Sequence, residues 1–228
     1  MNTEPTQPCL VRTLGMTDYD EAWDLQKDLQ RKRIAGKIPD TLLFVEHPPI
    51  YTLGKGGKLG HLLLGERALK RKGIAFRHVD RGGDITFHGP GQLVGYFIVD
   101  LKALYLDLHR FFRDIEEILI RTLGDFGLSA ARKEGVTGVC VGSDKVAAIG
   151  FEVRRWVTMH GFALNVHTDL SYFEGIVPCG LSDTGVTSIG KLLGRRIELD
   201  EVRTRVMAHV ETVLDRRGVR EGELLSPS

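Results

Sequence analysis

The sequence is poor in cysteine, and its few cysteines form no recognisable pair. Cys9, Cys140 and Cys179 are three in number and widely spaced, with no Cys-x-x-Cys among them. An odd number at such spacings argues against a disulfide framework or a structural zinc site, and favours a reducing compartment. The polar start of the chain also lacks the apolar segment of a secretory signal. We therefore expect a cytoplasmic protein.

Long apolar runs and a strong net charge are absent as well. No stretch of the chain approaches the ~20 consecutive apolar residues that a membrane-spanning helix needs. The formal net charge of +1 excludes strong attraction of the whole molecule to nucleic acid but leaves a local basic patch open. The sequence contains no His-Glu-x-x-His and no cluster with metal-ligand spacing. We expect no membrane partner, no nucleic-acid partner and no metal or other cofactor.

What is present is the composition of a globular domain. Apolar residues make up 42% of the chain and charged residues 27%, which is ordinary for a protein with a sizeable core. No low-complexity linker and no internal repeat divides the chain. We predict a single domain over residues 10–219, with frayed termini at 1–9 and 220–228, so that Cys9 lies in a loose tail.

Hydrophobic periodicity and capping residues predict a mixed α/β fold. Apolar residues at three- and four-residue steps, with Asp107 as N-cap and Gly127 after the end, predict the clearest helix. Runs rich in β-branched and aromatic residues predict strands, two of which form a hairpin through residues 154–156. The predicted helices are 17–35, 66–72, 108–126 and 200–217, and the predicted strands are 41–46, 74–79, 93–101, 145–153 and 157–166. This order predicts partly antiparallel sheets with flanking helices.

A glycine-rich segment at 81–91 is the densest unusual feature. Its glycines let the backbone approach a ligand and can present N–H groups to negative charge. The alternative is a pair of turns around a short strand, with His88 satisfied by the backbone. The segment matches neither Gly-x-Gly-x-x-Gly nor the phosphate-binding loop. A second stretch at 54–60 also matches neither, and we interpret it as a mobile surface loop.

Two further residues are candidates for chemistry. Cys179 stands between Pro178 and Gly180, which predicts a bend, although most free cysteines are buried small hydrophobes. Lys145 opens an apolar strand, and it is either a solvated turn residue or a partly desolvated lysine. Cys140 is interpreted as a buried strand residue.

A lysine beside Cys179 is enough to ionise it. A free thiol with a pKa near 8.5 is only about 3% thiolate at neutral pH. Lowering that pKa by about 2 units requires roughly 2.7 kcal/mol. One ammonium about 4 Å away supplies on the order of 4 kcal/mol at an effective dielectric near 20. The sequence alone leaves open whether Lys145 and Cys179 meet.

Four segments together resemble one family. RGGDITFHGPGQ at 81–92, KVAAIG at 145–150, HGFA at 160–163 and PCG at 178–180 are similar to the signatures of lipoyl(octanoyl) transferases, the lipoate-protein ligase B family. The likeness covers roughly residues 10–215, in the family's order. It implies a mixed α/β fold similar to the catalytic domain of biotin and lipoate protein ligases.

The resemblance implies an acyltransferase with a Cys/Lys dyad and no cofactor. It implies octanoyl transfer from octanoyl-acyl carrier protein to a lysine of lipoyl domains, in 2-oxoacid dehydrogenases and the glycine cleavage H protein, as the first step of lipoate biosynthesis. Cys179 is then the nucleophile that forms a thioester, and Lys145 lowers its pKa. The acyl-binding residues that it implies are Arg81, Gly82, Gly83, Asp84, Ile85, Thr86, Phe87, His88, Ala148, Ile149, Gly150, Gly161, Phe162 and Ala163.

Three other functions stay open. An ATP-dependent lipoate or biotin ligase on a similar fold would activate a free acid and would need no cysteine. A cysteine hydrolase would use water in place of the acceptor amine. A non-catalytic carrier-binding protein would set basic residues against an acidic partner, and the candidates are Arg31, Lys32, Arg33, Lys37, Arg154 and Arg155.

Overall fold

An eight-stranded mixed sheet forms the centre of the computed structural model, which describes residues 7–177 and 185–219. Its strands are β1 (Gln7–Met16), β2 (Asp40–Glu46), β6 (Gln92–Ile98), β7 (Ala130–Lys133), β8 (Val136–Val141), β9 (Asp144–Arg154), β10 (Val157–Asn165) and β11 (Arg216–Val219). Their order across the sheet is β11-β1-β2-β6-β10-β9-β8-β7. β1 runs parallel to both β11 and β2, and the other neighbours are antiparallel.

A second, smaller sheet has three strands, β3 (Ile50–Leu53), β4 (Ala75–His78) and β5 (Ile85–His88), in the order β4-β3-β5. β3 pairs in parallel with β4 and antiparallel with β5. Tyr51 and Phe87 of this sheet pack against the 3₁₀ segment Leu170–Gly175 in a core of their own. The predicted mixed, partly antiparallel sheets are confirmed.

Side-chain alternation along β2 builds a core on each face of the large sheet. Leu42 and Phe44 join the cluster that contains helices α3 (Leu108–Gly124) and α5 (Leu199–Leu214), whereas Leu43 and Val45 join the cluster of helix α1 (Tyr19–Ile34). Two short helices, α2 (Glu66–Lys72) and α4 (Ile189–Leu193), complete the set of α-helices among the described residues. No helix in this part of the chain is long and apolar enough to cross a membrane.

Capping residues fix the helix ends that the sequence predicts. The Asp18 side chain accepts a hydrogen bond from the Asp20 N–H at 2.8 Å at the start of α1. The Asp107 side chain accepts from the Arg110 N–H at 2.9 Å at the start of α3. Gly127, just beyond α3, has the left-handed φ of 75° that favours glycine after a helix. The predicted N-caps Asp18 and Asp107 are confirmed, whereas α3 ends at Gly124, two residues before the predicted end at 126.

The predicted hairpin is β9 and β10. Its turn places Arg155 and Trp156 in the left-handed region, at φ 51° and 69°, as in the two-residue turns whose twist matches that of paired strands. The register sets Gly161 opposite Gly150. The hairpin therefore brings two glycines side by side in the middle of the sheet.

Two predictions about the chain ends are wrong. The last helix ends at Leu214 rather than near 217, because Asp215 has a left-handed φ of 52° and the next residues form β11. Cys9 is in β1 rather than in a loose tail, paired with Asp40 and Gly218 and only 2% exposed. Parallel pairing with distant strands holds both ends, and local periodicity does not reveal such pairing. The predicted burial of Cys140 in a strand is confirmed.

A buried ion pair ties the last strand to the sheet. The Arg216 Nε donates to Asp40 Oδ2 at 2.8 Å, and both side chains are 3% exposed. Asp40 Oδ1 accepts from the Arg33 Nε at 2.8 Å and from the Asp100 N–H at 2.9 Å. Removing one partner of such a pair leaves an uncompensated buried charge.

We expect Arg216→Ala to lower the free energy of unfolding by about 3 kcal/mol, because Asp40 would keep only part of its compensation. Arg217, the next residue in the same strand, is exposed, and Arg217→Ala should change it by less than about 0.5 kcal/mol. Urea unfolding of the two variants measures the difference. Equal stabilities would mean that the pair does not hold β11 in place.

Candidate active site

A cavity of about 320 Å³ lies between the two sheets. Its volume is at the lower end of the ~300–1,000 Å³ typical of small-molecule sites. The structure brings to it segments that are far apart in the sequence. The predicted residues that line it are Lys145, Arg81, Gly83, Asp84, Ile85, Thr86, His88, Ala148, Ile149, Gly150, Gly161, Phe162 and Ala163.

Two predicted acyl-binding residues do not line this cavity. Phe87 faces the core of the small sheet, where its ring is fully buried and stacks on Tyr172 at a centroid distance of 4.6 Å. Ile85 shares this face of β5 and the same core, so of these two side chains only Ile85 also reaches the cavity. Gly82 uses its N–H as a donor to the Phe151 carbonyl at 2.9 Å. Gly82 therefore joins the glycine-rich loop to β9.

The cavity is elongated along β9. Lys145 and Gly150 both line it, and at a rise of about 3.4 Å per residue they lie roughly 17 Å apart along the strand. Between them stand Ala147, Ala148 and Ile149, which are small or apolar. The shape and lining suit an unbranched apolar chain with one end near Lys145.

Arg81 holds the glycine-rich loop against the small sheet. Its Nη2 donates to the Thr52 carbonyl at 2.7 Å and to the Thr52 Oγ1 at 3.0 Å, and its Nη1 donates to the Gly82 carbonyl at 3.0 Å. The side chain is buried and lines the cavity. The loop is thus fixed through its own arginine.

His88 is neutral and is satisfied by side chains. The Gln92 Nε2 donates to the Phe87 carbonyl at 3.1 Å and to Asn165 Oδ1 at 2.9 Å, so Gln92 Oε1 is the acceptor 2.9 Å from His88 Nδ1. His88 Nδ1 therefore carries the hydrogen, and Nε2 accepts from the Thr52 hydroxyl at 3.4 Å. Burial lowers the pKa of His88 well below its ordinary value. The alternative interpretation, in which the backbone satisfies the hydrogen bonds of His88, is therefore wrong.

Two more buried histidines lie near His88: His160 lines the cavity, and the His47 ring is 5.9 Å from the His88 ring behind it. The His47 Nδ1 donates to the Thr17 carbonyl at 2.7 Å, so its Nε2 accepts from the Tyr96 hydroxyl at 2.8 Å. The His160 Nε2 lies 2.7 Å from Asp80 Oδ1. Burial lowers the pKa of His47 to about 4 and also lowers the pKa of His160. The cavity wall here is polar, and its histidines are uncharged at neutral pH.

The stretch 54–60 contributes to the site, which the sequence did not predict. Its exposed position is confirmed for Lys55 and Gly56. The Lys55 N–H donates to the Arg81 carbonyl at 3.0 Å, and the Gly56 N–H donates to the Gly83 carbonyl at 3.1 Å. Gly56 itself lines the cavity. The stretch 54–60 is therefore bonded to the glycine-rich loop.

Lys145 is buried, as expected for a partly desolvated lysine and not for a solvated turn residue. It is 7% exposed and lines the cavity. Its N–H donates to the Gly185 carbonyl at 2.8 Å, and its carbonyl accepts from the Thr187 N–H at 3.0 Å. Gly138, at φ 131°, makes room for the lysine, since an ideal Cβ there would lie 2.9 Å from Lys145 Cε.

Cys179 lies outside the described residues, together with Pro178 and Gly180. Its place beside Lys145 stays a prediction. The chain on both sides of it is anchored at the site: Gly185 bonds to Lys145, and the Val177 N–H donates to the His61 carbonyl at 2.8 Å. The His61 Nδ1 in turn lies 2.5 Å from Oδ2 of Asp84, which lines the cavity.

Other lining residues were missed from the sequence. They come from α1, from β6, from the end of β10, from the 3₁₀ segment Leu170–Gly175 and from the chain after residue 184, and they include Tyr19, Gln92, Val94, Tyr96, Asn165, Phe173 and Val186. Gly161 pairs with Tyr96, and Ala163 pairs with Val94. The predicted hairpin therefore pointed to these β6 positions, but only a known strand order would have identified them.

We expect stability to fall in mild acid. The folded protein keeps His47 neutral with a pKa of about 4, whereas an unperturbed histidine protonates near 6.5. The contribution of His47 is therefore complete above about pH 6.5 and is lost as the pH falls toward about 4. Between about pH 7.5 and pH 5, the free energy of unfolding should decrease by about 2 kcal/mol through His47.

Urea unfolding at both pH values tests this in the wild type, in His47→Gln and in His109→Gln, a change at an exposed position of α3. The pH-dependent loss should be about 2 kcal/mol smaller in His47→Gln than in the other two proteins. Equal losses in all three proteins would contradict the assignment.

The sequence matches the model of the lipoyl protein ligase A/B catalytic domain over residues 18–211. The octanoyltransferase of Solibacter usitatus is 51% identical over 207 residues, which cover 91% of this chain and 93% of that protein. The octanoyltransferase of Flavobacterium johnsoniae is 46% identical over 217 residues, which cover 88% of this chain and 94% of that protein.

Solved structures share the fold at low identity. A bi-partite lipoate protein ligase from Thermoplasma acidophilum has a TM-score of 0.71 at 17% identity, covering 96% of this chain and 89% of that chain. A lipoate-protein ligase A bound with ATP has a TM-score of 0.70 at 17% identity, covering 96% and 91%. The biotin protein ligase of Aquifex aeolicus has 0.54 at 14% identity, covering 91% and 70%. The predicted likeness to this fold is confirmed.

Proposed function

The chain belongs to the lipoyl protein ligase A/B catalytic-domain family, and on that premise we propose that it is an octanoyltransferase of lipoate biosynthesis. The donor is octanoyl-acyl carrier protein, and the acceptor is a lysine of lipoyl domains in 2-oxoacid dehydrogenases and the glycine cleavage H protein. The intermediate is a thioester on Cys179. The observation that carries the proposal is a buried Lys145 at one end of an elongated, largely apolar cavity.

The position of Cys179 in the sequence supports its role. It is two residues after Val177 and six before Gly185, and Gly185 is bonded to the Lys145 backbone. Two residues of chain span at most about 7 Å. The lysine and the cysteine therefore need no large rearrangement to meet if the chain from Val177 runs toward the cavity.

The first half-reaction moves the acyl group onto the enzyme. The Cys179 thiolate, stabilised by the Lys145 ammonium, attacks the carbonyl carbon of the carrier thioester. Backbone N–H groups near the glycine-rich loop or Cys179 stabilise the oxyanion. A carbon–sulfur bond to Cys179 forms, the bond to the carrier sulfur breaks, and the carrier leaves as its thiol with a proton from the Lys145 ammonium, which leaves Lys145 neutral. One thioester replaces another, so the step is nearly isoenergetic.

The second half-reaction moves the acyl group onto the acceptor. The acceptor lysine attacks the Cys179 thioester as a free amine, and its excess proton passes to Lys145 as the amide bond forms. The Cys179 thiolate leaves and is restored beside the Lys145 ammonium. Conversion of a thioester to an amide is downhill, so neither half-reaction consumes ATP.

The cavity dimensions support an eight-carbon chain. Seven carbon–carbon bonds of about 1.5 Å in a zigzag reach roughly 9 Å, which is less than the roughly 17 Å between Lys145 and Gly150 along β9. The chain would lie along Ala147, Ala148 and Ile149, and its burial favours binding by about 0.8 kcal/mol for each methylene.

The alternatives differ in what they consume. An ATP-dependent ligase shares the fold, but relatives at 46% and 51% identity are octanoyltransferases, and the neighbours named as ligases share only 17%. A cysteine hydrolase would release the free acid. A carrier-binding protein without catalysis would form no covalent adduct.

Incubation with octanoyl-acyl carrier protein in the absence of nucleotide should add one octanoyl mass to the protein. The adduct should be labile to hydroxylamine, should be absent from Cys179→Ala and should disappear when a lipoyl domain is added. Cys140→Ala serves as the matched control and should still form the adduct. Mass spectrometry of the intact protein measures the adduct in each of these experiments. A requirement for ATP would show that the ligase alternative is correct.

Lys145→Ala should raise the midpoint of the pH profile for Cys179 alkylation by about 2 units, because the ammonium that stabilises the thiolate is lost. Lys145→Arg should keep the low midpoint but slow the transfer to the acceptor. Arginine stays protonated and therefore cannot accept the proton of the attacking amine. Cys9 is a built-in reference, because burial raises the pKa of its thiol to about 12. Lys191→Ala is the control at an exposed position. An unchanged midpoint in Lys145→Ala contradicts the activation scheme.

A further inference from the structure

Positive charge is concentrated in one segment of this nearly neutral chain. The whole protein has a net charge of +1, yet residues 54–73 contain six basic residues against one acidic residue, Glu66. All six are exposed: Lys55, Lys58, Arg67, Lys70, Arg71 and Lys72. We call residues 54–73 the basic rim. A local excess of one charge attracts an oppositely charged partner and raises its rate of association.

The basic rim lies at the cavity and beside the chain that leads to Cys179. Gly56 lines the cavity. The Leu63 N–H donates to the Gly175 carbonyl at 2.9 Å, and Leu62 pairs with Ile176 in an antiparallel bridge. The Val177 N–H donates to the His61 carbonyl at 2.8 Å. A partner on this surface is thus positioned next to the site.

Exposed leucines stand among these charges. Leu59 is 59% exposed and Leu63 is 56% exposed, and they are two of the six large hydrophobic side chains that the described residues leave exposed. Specific protein interfaces combine an apolar centre with a polar or charged border. Leucines bordered by lysine and arginine therefore suit an acidic protein surface with an apolar centre.

We propose that the basic rim is the docking surface for the acidic face of the acyl carrier protein that donates the octanoyl group. This inference rests on the proposed function. An acyl carrier presents its thioester on a long flexible arm, so its body can contact the enzyme beside the cavity while the arm reaches into it. A lysine side chain is far shorter, so the acceptor has to lie against Cys179 itself.

The test measures acylation of Cys179 in a single turnover with two donors, octanoyl-acyl carrier protein and octanoyl-pantetheine. The variants are Arg67→Glu/Arg71→Glu and Lys70→Glu/Lys72→Glu. Each should lower the second-order rate constant with the protein donor about tenfold or more at low salt, and should flatten its dependence on salt. The rate with octanoyl-pantetheine should stay within about twofold of the wild type, because these side chains do not line the cavity.

A matched control carries the same change of charge elsewhere. Arg31 and Lys32 are exposed in the last turn of α1, a helix of 16 residues whose first residue, Tyr19, lines the cavity. They therefore lie roughly 20 Å from that end of the helix. Arg31→Glu/Lys32→Glu should react with both donors like the wild type. Leu59→Ser/Leu63→Ser should slow the protein donor alone, without flattening its salt dependence.

The outcomes separate this inference from the proposed function. If the wild type accepts octanoyl from neither donor, the proposed function fails. If it accepts from both, but the rim variants match the α1 control, the docking surface is refuted. A loss confined to the acceptor step assigns the rim to the lipoyl domain and overturns the assignment to the donor. If neither anionic vesicles nor duplex DNA inhibits acylation by the carrier, the result supports the carrier as the partner. If the protein binds vesicles or DNA more tightly than it binds the carrier, the proposal is overturned.

Discussion

The site depends on one close approach, in which the loop that carries Arg81 lies directly on β9. The Gly82 N–H bonds to the Phe151 carbonyl, and an ideal Cβ at Gly150 would lie only 3.0 Å from the Gly82 carbonyl oxygen. A side chain at position 150 would push the loop off the sheet. Since Gly150 has no side chain, the loop closes one side of the cavity. Residues 55–56 of the basic rim bond to this loop.

The polar end of the cavity is compatible with an apolar occupant because most of its hydrogen bonds are already made, although the buried His160 Nδ1 has no hydrogen-bond partner among the described residues. A directed series runs from the Arg81 guanidinium to the Thr52 hydroxyl, from there to His88, then to Gln92 and on to Asn165. A buried polar group costs free energy mainly when it loses its partner. An acyl chain that displaces water from this wall therefore takes few partners away. Burial also keeps His88 uncharged.

The sequence predicted the parts of the fold that depend on local chemistry. The N-caps of α1 and α3 and the turn of the β9–β10 hairpin are properties of a few consecutive residues. The resemblance predicted which segments surround the cavity, including Lys145. Phe87 shows where a motif stops being informative: it lies within a matched segment, yet its ring stacks on Tyr172 in the core of the small sheet.

What the sequence could not predict depends on pairing between distant segments. β11 contains two arginines and follows an amphipathic helix without a proline or glycine at the boundary, so periodicity favoured a longer helix. Arg216 belongs there because Asp40 lies across the sheet. Tyr19 joins the cavity only through the packing of α1 on the large sheet. Neither of these long-range contacts can be detected from a window of neighbouring residues in the sequence.

The cavity and the basic rim separate two kinds of selection. Under the proposed function, the cavity would recognise the acyl chain by burial, at about 0.8 kcal/mol or roughly fourfold in affinity for each methylene, and this preference would depend little on salt. The basic rim would recognise the protein that carries the chain by charge, which salt weakens. The two surfaces meet at residues 54–61, where the Lys58 N–H and the His61 ring contact the cavity-lining Asp84. The charged side chains of the basic rim do not line the cavity, so a change in one surface need not alter the other. An enzyme that takes its acyl group from a protein and passes it to another protein benefits from this separation, since the carrier can dissociate while the chain stays bound.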